Sequence, residues 1–293
     1  VTVSAPGKLM LLGEYAVVDG GLAVVAAVNR RAVGVTLTEP DPRPSPVVQA
    51  VLTRAARAGA VLPPGVRIDT SAFHDAQGAK LGLGSSAAVA VITAALATGR
   101  GDDEVLRIAV EGHRDAAGGK GSGVDVAACF SGGVVATRAQ PGPVEPLPRQ
   151  IRGLELSVLY TGVSASTPHM LRACQAAPSW GAWMAVMRPL VERGVAAWRR
   201  QEALPFLAAV AEYGRAMAGL GRDAGVPVVT EQIEAMMRLA AEAGGAAKPS
   251  GAGGGDVVVM WSRDRADARR VAEATGSVVV DLEVDGRGLS RRG

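Results

Sequence analysis

Apolar residues in this chain form short alternating runs near its start, long unbroken runs through its first half, and helical stripes in its second half. Residues 1–4 alternate as a strand does and lead into an Ala5-Pro6-Gly7-Lys8 turn, after which 9–12 resume an apolar run. Gly13-Glu14-Tyr15 and Ala16-Val17-Val18 follow; Asp19-Gly20-Gly21 is a turn, and 22–28 and 32–38 predict two further strands. A proline-rich loop at 40–46 precedes a helix at 47–59 and an extended segment at 66–70. Residues 87–98 are almost wholly apolar, which predicts a buried helix, with Ser85 and Ser86 available as its caps. A second helix opens on Asp102-Asp103-Glu104, where the dipole favours acids, and places Leu106, Ala109, Val110 and His113 on its inner face. His113 therefore reads as packed. Glycines at 118–123 end that helix, a short apolar one begins at 124–128, and 132–136 predict a strand.

In the second half, 154–160 read as a strand that ends in Thr161-Gly162-Val163-Ser164-Ala165-Ser166-Thr167-Pro168. Thr167 as N-cap and Pro168 at the first helical position start the next helix, so Ser164, Ser166 and Thr167 converge there beside His169 and Arg172. The pattern from 180 to 221 is helical, with breaks expected near Pro189 and Pro205, and 231–243 form another amphipathic helix. A strand at 256–261, a helix at 264–275 and a closing strand at 277–284 complete the chain. This succession predicts an α+β fold, a sheet with helices on one face.

Composition narrows the class. With 48% hydrophobic and 20% charged residues, 293 residues fit one large or two modest globular domains. The proline-rich stretch 141–148 is the best boundary, dividing the chain into 1–145 and 146–293. The net charge of +3 comes from 31 basic and 28 acidic residues scattered along the chain, and aromatics make up only 3%. Nucleic-acid binders cluster basic charge with aromatics, so Arg30-Arg31, Arg199-Arg200 and Arg291-Arg292 read as solvated faces and no nucleic-acid partner is expected. Cys129 and Cys174 stand alone, which suits a reducing cytoplasm, and the three histidines have no metal-ligand spacing. No signal peptide or run of spanning length is read, so no membrane partner is expected.

Candidate chemistry lies in three glycine-bearing stretches. They are Ala5-Pro6-Gly7-Lys8-Leu9, Gly82-Leu83-Gly84-Ser85-Ser86-Ala87-Ala88 and Lys248-Pro249-Ser250-Gly251-Ala252-Gly253-Gly254-Gly255-Asp256. The middle stretch feeds a buried helix whose N-terminal amides and dipole attract anions. It is not a Walker A loop, since Gly-x-x-x-x-Gly-Lys-Ser/Thr does not occur. Asp125 is an acid inside an apolar helix, either its N-cap or a functional carboxylate.

These stretches, with Gly121-Ser122-Gly123-Val124-Asp125-Val126-Ala127-Ala128 and 160–168, resemble the GHMP kinases over nearly the whole chain, and among them most closely the bacterial phosphomevalonate kinases. The resemblance implies a ribosomal-protein-like N-terminal half and a ferredoxin-like C-terminal half. It implies ATP and Mg2+ as cofactors and a phosphorylated small molecule, (R)-5-phosphomevalonate, as acceptor; the alternative is mevalonate kinase or another kinase acting on an alcohol. Lys8 and Asp125 would sit at the phosphoryl-transfer centre. Gly82, Leu83, Gly84, Ser85, Ser86 and Ala87 would hold the triphosphate, with Ser86 the magnesium ligand. Lys8, Tyr15, Ser122, Ser164, Ser166, Thr167, Ser250, Gly251 and Ala252 would contact the substrate, and a cytoplasmic monomer or homodimer is expected. Mevalonate kinases carry a glutamate before the catalytic aspartate, whereas Glu111 and Asp115 do not occupy that place.

Overall fold

The computed structural model describes residues 1–75, 77–99, 101–165 and 167–292, the Thr167 side chain excepted. In chain order the elements are β1 (Thr2–Leu12), β2 (Ala23–Leu37), α1 (Pro46–Arg57), β3 (Gly65–Asp69), α2 (Ser85–Thr98), α3 (Asp102–Ala116), α4 (Val124–Ser131), β4 (Val134–Thr137), β5 (Val144–Leu147) and β6 (Glu155–Tyr160). They continue with α5 (Thr167–Ala176), α6 (Trp180–Arg200), α7 (Ala203–Asp223), α8 (Glu231–Glu242), β7 (Ala246–Pro249), β8 (Val257–Ser262), α9 (Arg265–Thr275), β9 (Val278–Val280) and β10 (Ser290–Arg292). Two compact units result. One takes Val1–Leu9, Val25–Pro146 and Glu283–Gly293; the other takes Met10–Val24 and Leu147–Leu282.

A six-stranded sheet in the order β10-β1-β2-β4-β5, with β3 on β2, carries the first unit. β1 runs straight through Ala5-Pro6-Gly7-Lys8, where a turn was expected. It pairs with β10 only at Thr2, Val3 and Ser4, so further along that edge a proline removes no ladder bond. The Lys8 amide, on the same edge as Pro6, instead donates to the Leu83 carbonyl at 2.8 Å. The two strands expected at 22–28 and 32–38 are one strand, β2. Its polar middle is partnered: Arg31 donates to Asp285 at 2.6 Å and to Ser4, and the Glu283 amide donates to the Asn29 side chain. The tail read as a solvated arginine face is β10, and the chain's return also bridges Val28 to Val284.

Helix α2 buries nine residues and packs against α1, α3 and α4. α3 turns inward a face that is rotated from the one expected but keeps Ala109 and Val110. Val105, Ile108, Ala109, Val110 and Gly112 are buried, while Leu106 and His113 lie at the flank.

In the second unit an antiparallel sheet in the order β7-β8-β6-β9 has the β-α-β-β-α-β succession of a ferredoxin-like half. Helices cover both of its faces, not one. Val258 and Met260 pack with Ile233 and Met236 of α8 and Val271 of α9, whereas Trp261 meets Phe206 of α7 edge-on. Every residue of β8 is buried as a result. The helical run is broken at Gln201, whose φ is 58°, and not at Pro189, which α6 accommodates. Pro205 lies in the first turn of α7, where a missing N–H costs no intrahelical bond.

Arg31→Met removes the closer cation of Asp285, a 9%-exposed carboxylate, and leaves it the longer Arg287 contact at 3.7 Å. We expect a loss of about 1.5–3 kcal/mol, read from urea unfolding, with secondary structure unchanged by circular dichroism.

Candidate active site

In the first unit the middle glycine stretch is held by its neighbours before it can hold anything else. Gly84 is the N-cap of α2 and has φ of 73°, a left-handed conformation that favours glycine. A Cβ there would lie 2.7 Å from both Cγ and Cε of Lys8, so the lysine stem lies directly across Gly84. Gly7, on the same strand as Lys8, permits the approach, since a Cβ on it would meet the Leu83 carbonyl at 2.8 Å. The serines do not cap the helix as expected. They lie within its first turn, and the exposed Ser86 hydroxyl is 3.1 Å from His113 Nε2.

Asp125 is not an N-cap either. Gly123 takes that position, and Asp125, half-buried in the first turn of α4, accepts from the Val126 amide at 2.9 Å. Among the described residues no ion pair joins it to Lys8. Both charges nevertheless act on Cys129, one turn along α4: burial pushes that thiol up, Asp125 adds to the shift, and Lys8 opposes it. Lys8 lies against the α2 N-terminus, and α4, which carries Asp125, packs on α2. Arg114, on the last turn of α3, donates to the carbonyls of Gly121 at 2.8 Å and Ser122 at 3.1 Å, and to that of Gln140. It fixes the turn that delivers Asp125. Glu111 and Asp115 are committed elsewhere, to Arg54 at 3.5 and 2.5 Å.

In the second unit the third stretch is only partly loop. Lys248 and Pro249 belong to β7, and the Lys248 side chain is fully buried. Its ammonium donates to Glu14 Oε1 and, at 2.6 Å, to the Pro249 carbonyl. Burial pushes the Glu14 carboxyl up, against the Lys248 charge and the Gly251 amide; it pushes the Lys248 ammonium down, against Glu14.

Tyr15, expected at the acceptor, is 1% exposed, and its hydroxyl donates to the Ala252 carbonyl at 2.5 Å. Its own amide and that of Ala16 donate to the Tyr213 hydroxyl. Asp256 closes the stretch. Its amide donates to Val163 at 2.6 Å and its carboxylate accepts from Ala165, which brings the loop end beside exposed Ser164. His169 and Arg172 are exposed on α5. Ser166 and the Thr167 side chain lie outside the described residues.

Residues 47–133 match the family model described as "GHMP kinases N terminal domain", and 205–280 match "GHMP kinases C terminal". The chain belongs to the GHMP kinases. A Streptomyces phosphomevalonate kinase is 29% identical over 95% of this chain and 95% of its own. A mevalonate kinase of Aeropyrum pernix is 36% identical, but over 56% of this chain and 58% of its own. Streptococcus pneumoniae phosphomevalonate kinase, solved with phosphomevalonate and AMPPNP, has the same fold, with a TM-score of 0.83 and 19% identity over 97% of this chain and 99% of that one.

Two features of this GHMP kinase went unread in the sequence. Glu14 and Lys248 each stand alone in an apolar run, and a lone charge there signals a buried partner. Arg114 left no such signal, because its partners are all carbonyls.

Removing one member of the buried pair strands the other. Glu14→Gln or Lys248→Met should each cost about 3–5 kcal/mol in chemical unfolding, while the apolar double variant Glu14→Leu with Lys248→Met should cost less than the sum. Additive losses would mean that the two groups do not act as a pair.

Proposed function

We propose that this chain is an ATP- and magnesium-dependent kinase that phosphorylates (R)-5-phosphomevalonate, giving 5-diphosphomevalonate and ADP. The observation that carries the reading is the Lys8 stem lying across Gly84, which sets a cation beside a helix N-terminus suited to phosphate. Likeness along nearly the whole chain to the Streptomyces phosphomevalonate kinase supports this acceptor.

Gly82, Leu83, Gly84, Ser85, Ser86 and Ala87 hold the triphosphate. Ser250, Gly251, Ala252, Ser122, Ser164, Ser166 and Thr167 supply hydroxyl and amide donors to the acceptor. Tyr15 serves the same site indirectly, through the Ala252 carbonyl. Ser86 fits a magnesium ion, being an exposed hard oxygen, and this metal binds through few protein oxygens with phosphate and water completing its shell. Bound there, it neutralises charge on the transferring phosphates.

In the reaction the bond from the γ-phosphorus to the ADP oxygen breaks as an acceptor phosphate oxygen bonds to phosphorus. The transition state is loose, so positioning and charge neutralisation dominate. Lys8 supplies the positive charge. A phosphate monoester has its second pKa near ~6 and reaches neutral pH already anionic, so no base is required. Asp125 therefore orients Lys8 and the acceptor across the space they share. The mevalonate kinase reading draws on the Aeropyrum match and would instead have Asp125 take a proton from an alcohol. Two free, buried cysteines support a cytoplasmic setting.

A coupled ADP-release assay with 5-phosphomevalonate and mevalonate separates the two readings: turnover should occur with the first, and turnover confined to mevalonate would replace our reading with the alternative. Lys8→Ala should lower kcat by roughly 10²–10³-fold, and Asp125→Asn by less. An equal collapse in Asp125→Asn, with loss of an acidic limb in the pH profile, would assign the base role to Asp125.

A further inference from the structure

The last turn of α3 touches both halves of the first unit's site. Arg114 holds the turn before Asp125, and the adjacent His113 reaches Ser86. His113 was expected to be packed, yet its ring stands at the helix flank with Nε2 3.1 Å from Ser86 Oγ. Ser86 is exposed at the start of α2, where the dipole and first amides already favour an anion.

A serine hydroxyl has one proton and two lone pairs, and its rotor is free unless a partner claims the proton. An imidazole in the neutral Nδ1–H tautomer presents Nε2 as an acceptor. It would take the Ser86 proton into a hydrogen bond and leave the oxygen's lone pairs pointing outward. Without that acceptor the rotor is free, and the hydroxyl proton competes for the side on which a cation would sit.

We infer that His113 is a positioning residue that orients the Ser86 hydroxyl to receive a nucleotide-bound divalent cation. This inference rests on the proposed role of Ser86 in a magnesium-dependent kinase. His113 does not touch the reacting atoms; it acts through Ser86. Partners of this kind, one bond beyond a metal ligand, typically contribute roughly 10–100-fold in metal affinity.

The test is equilibrium binding of the non-hydrolysable nucleotide AMPPNP by isothermal titration calorimetry, in excess EDTA and in excess magnesium chloride. Wild type should bind more tightly with magnesium. In His113→Ala that metal-dependent gain should shrink by roughly tenfold or more, with metal-free binding changed by less than about twofold. His113→Gln, which keeps an acceptor near the Nε2 position, should recover most of the gain. In a Ser86→Ala background His113→Ala should have no further effect on it. Equal weakening of metal-free and metal-bound nucleotide in both His113 variants would mark a merely structural residue and overturn the inference, as would an unchanged gain in His113→Ala. No metal-dependent gain in wild type would overturn the magnesium role of Ser86 and the inference together. A gain in wild type that ignores His113 would leave the first standing and remove only the second.

Discussion

One ion pair inside the second unit governs how its glycine loop is presented. Lys248 and Glu14 are 234 residues apart in sequence, and neither side chain is more than 2% exposed. Taking both charges out of water is costly, and only close mutual approach with further hydrogen bonds offsets the loss. The geometry meets that demand at the ammonium, which donates to the Pro249 carbonyl as well as to Glu14 Oε1, while Glu14 Oε2 is buried without a hydrogen-bond partner among the described residues. Neither group can leave without stranding the other. The peptide between Lys248 and Ala252 is thereby tied at its start by the charge pair and at its end by the Tyr15 hydroxyl. A loop rich in glycine has high intrinsic freedom, and these two ties remove much of it in advance.

The first unit solves a similar problem with backbone instead of charge. The strand that carries Lys8 donates its own amide to the loop it serves, and the lysine stem then covers Gly84. Side chain and loop are positioned by the same short piece of β1. α3 adds a second means of support, since successive residues of its last turn hold the two other parts of the site. Lys8, Ser86 and Asp125 come from three different elements, yet each is fixed by a neighbour one bond away.

Much of this was legible in the sequence, and the misses share a cause. An unbroken apolar run located α2, a short apolar segment located β6 and amphipathic spacing located α8, because their burial is local. The Ala5-Pro6-Gly7-Lys8 segment contains turn residues, and nothing nearby says that a strand edge is free for the proline and that a distant loop needs the glycine's space. The polar Asn29-Arg30-Arg31 looks like a break in β2 until Asp285 and Glu283 arrive from the far end of the chain. Lys8 and Asp125 were picked out by motif, whereas the company they keep was not. The partners of Arg114 are carbonyls, which every residue has, and His113 sits half-buried at the flank of the inner face of α3 instead of within it.

β10 has a bearing on how the protein is made. The segment Glu283–Gly293 belongs to the same compact unit as Val1–Leu9, and Thr2, Val3 and Ser4 meet their partners Arg292, Arg291 and Ser290 only there. Ribosomes deliver a chain N-terminus first, so the strand bearing Lys8 emerges long before Ser290–Arg292, its outer neighbour. Until then its edge is an open template of the kind that attracts other strands. Completion of this unit is therefore a long-range event, and the nascent chain is most vulnerable to mispairing before Ser290–Arg292 emerge.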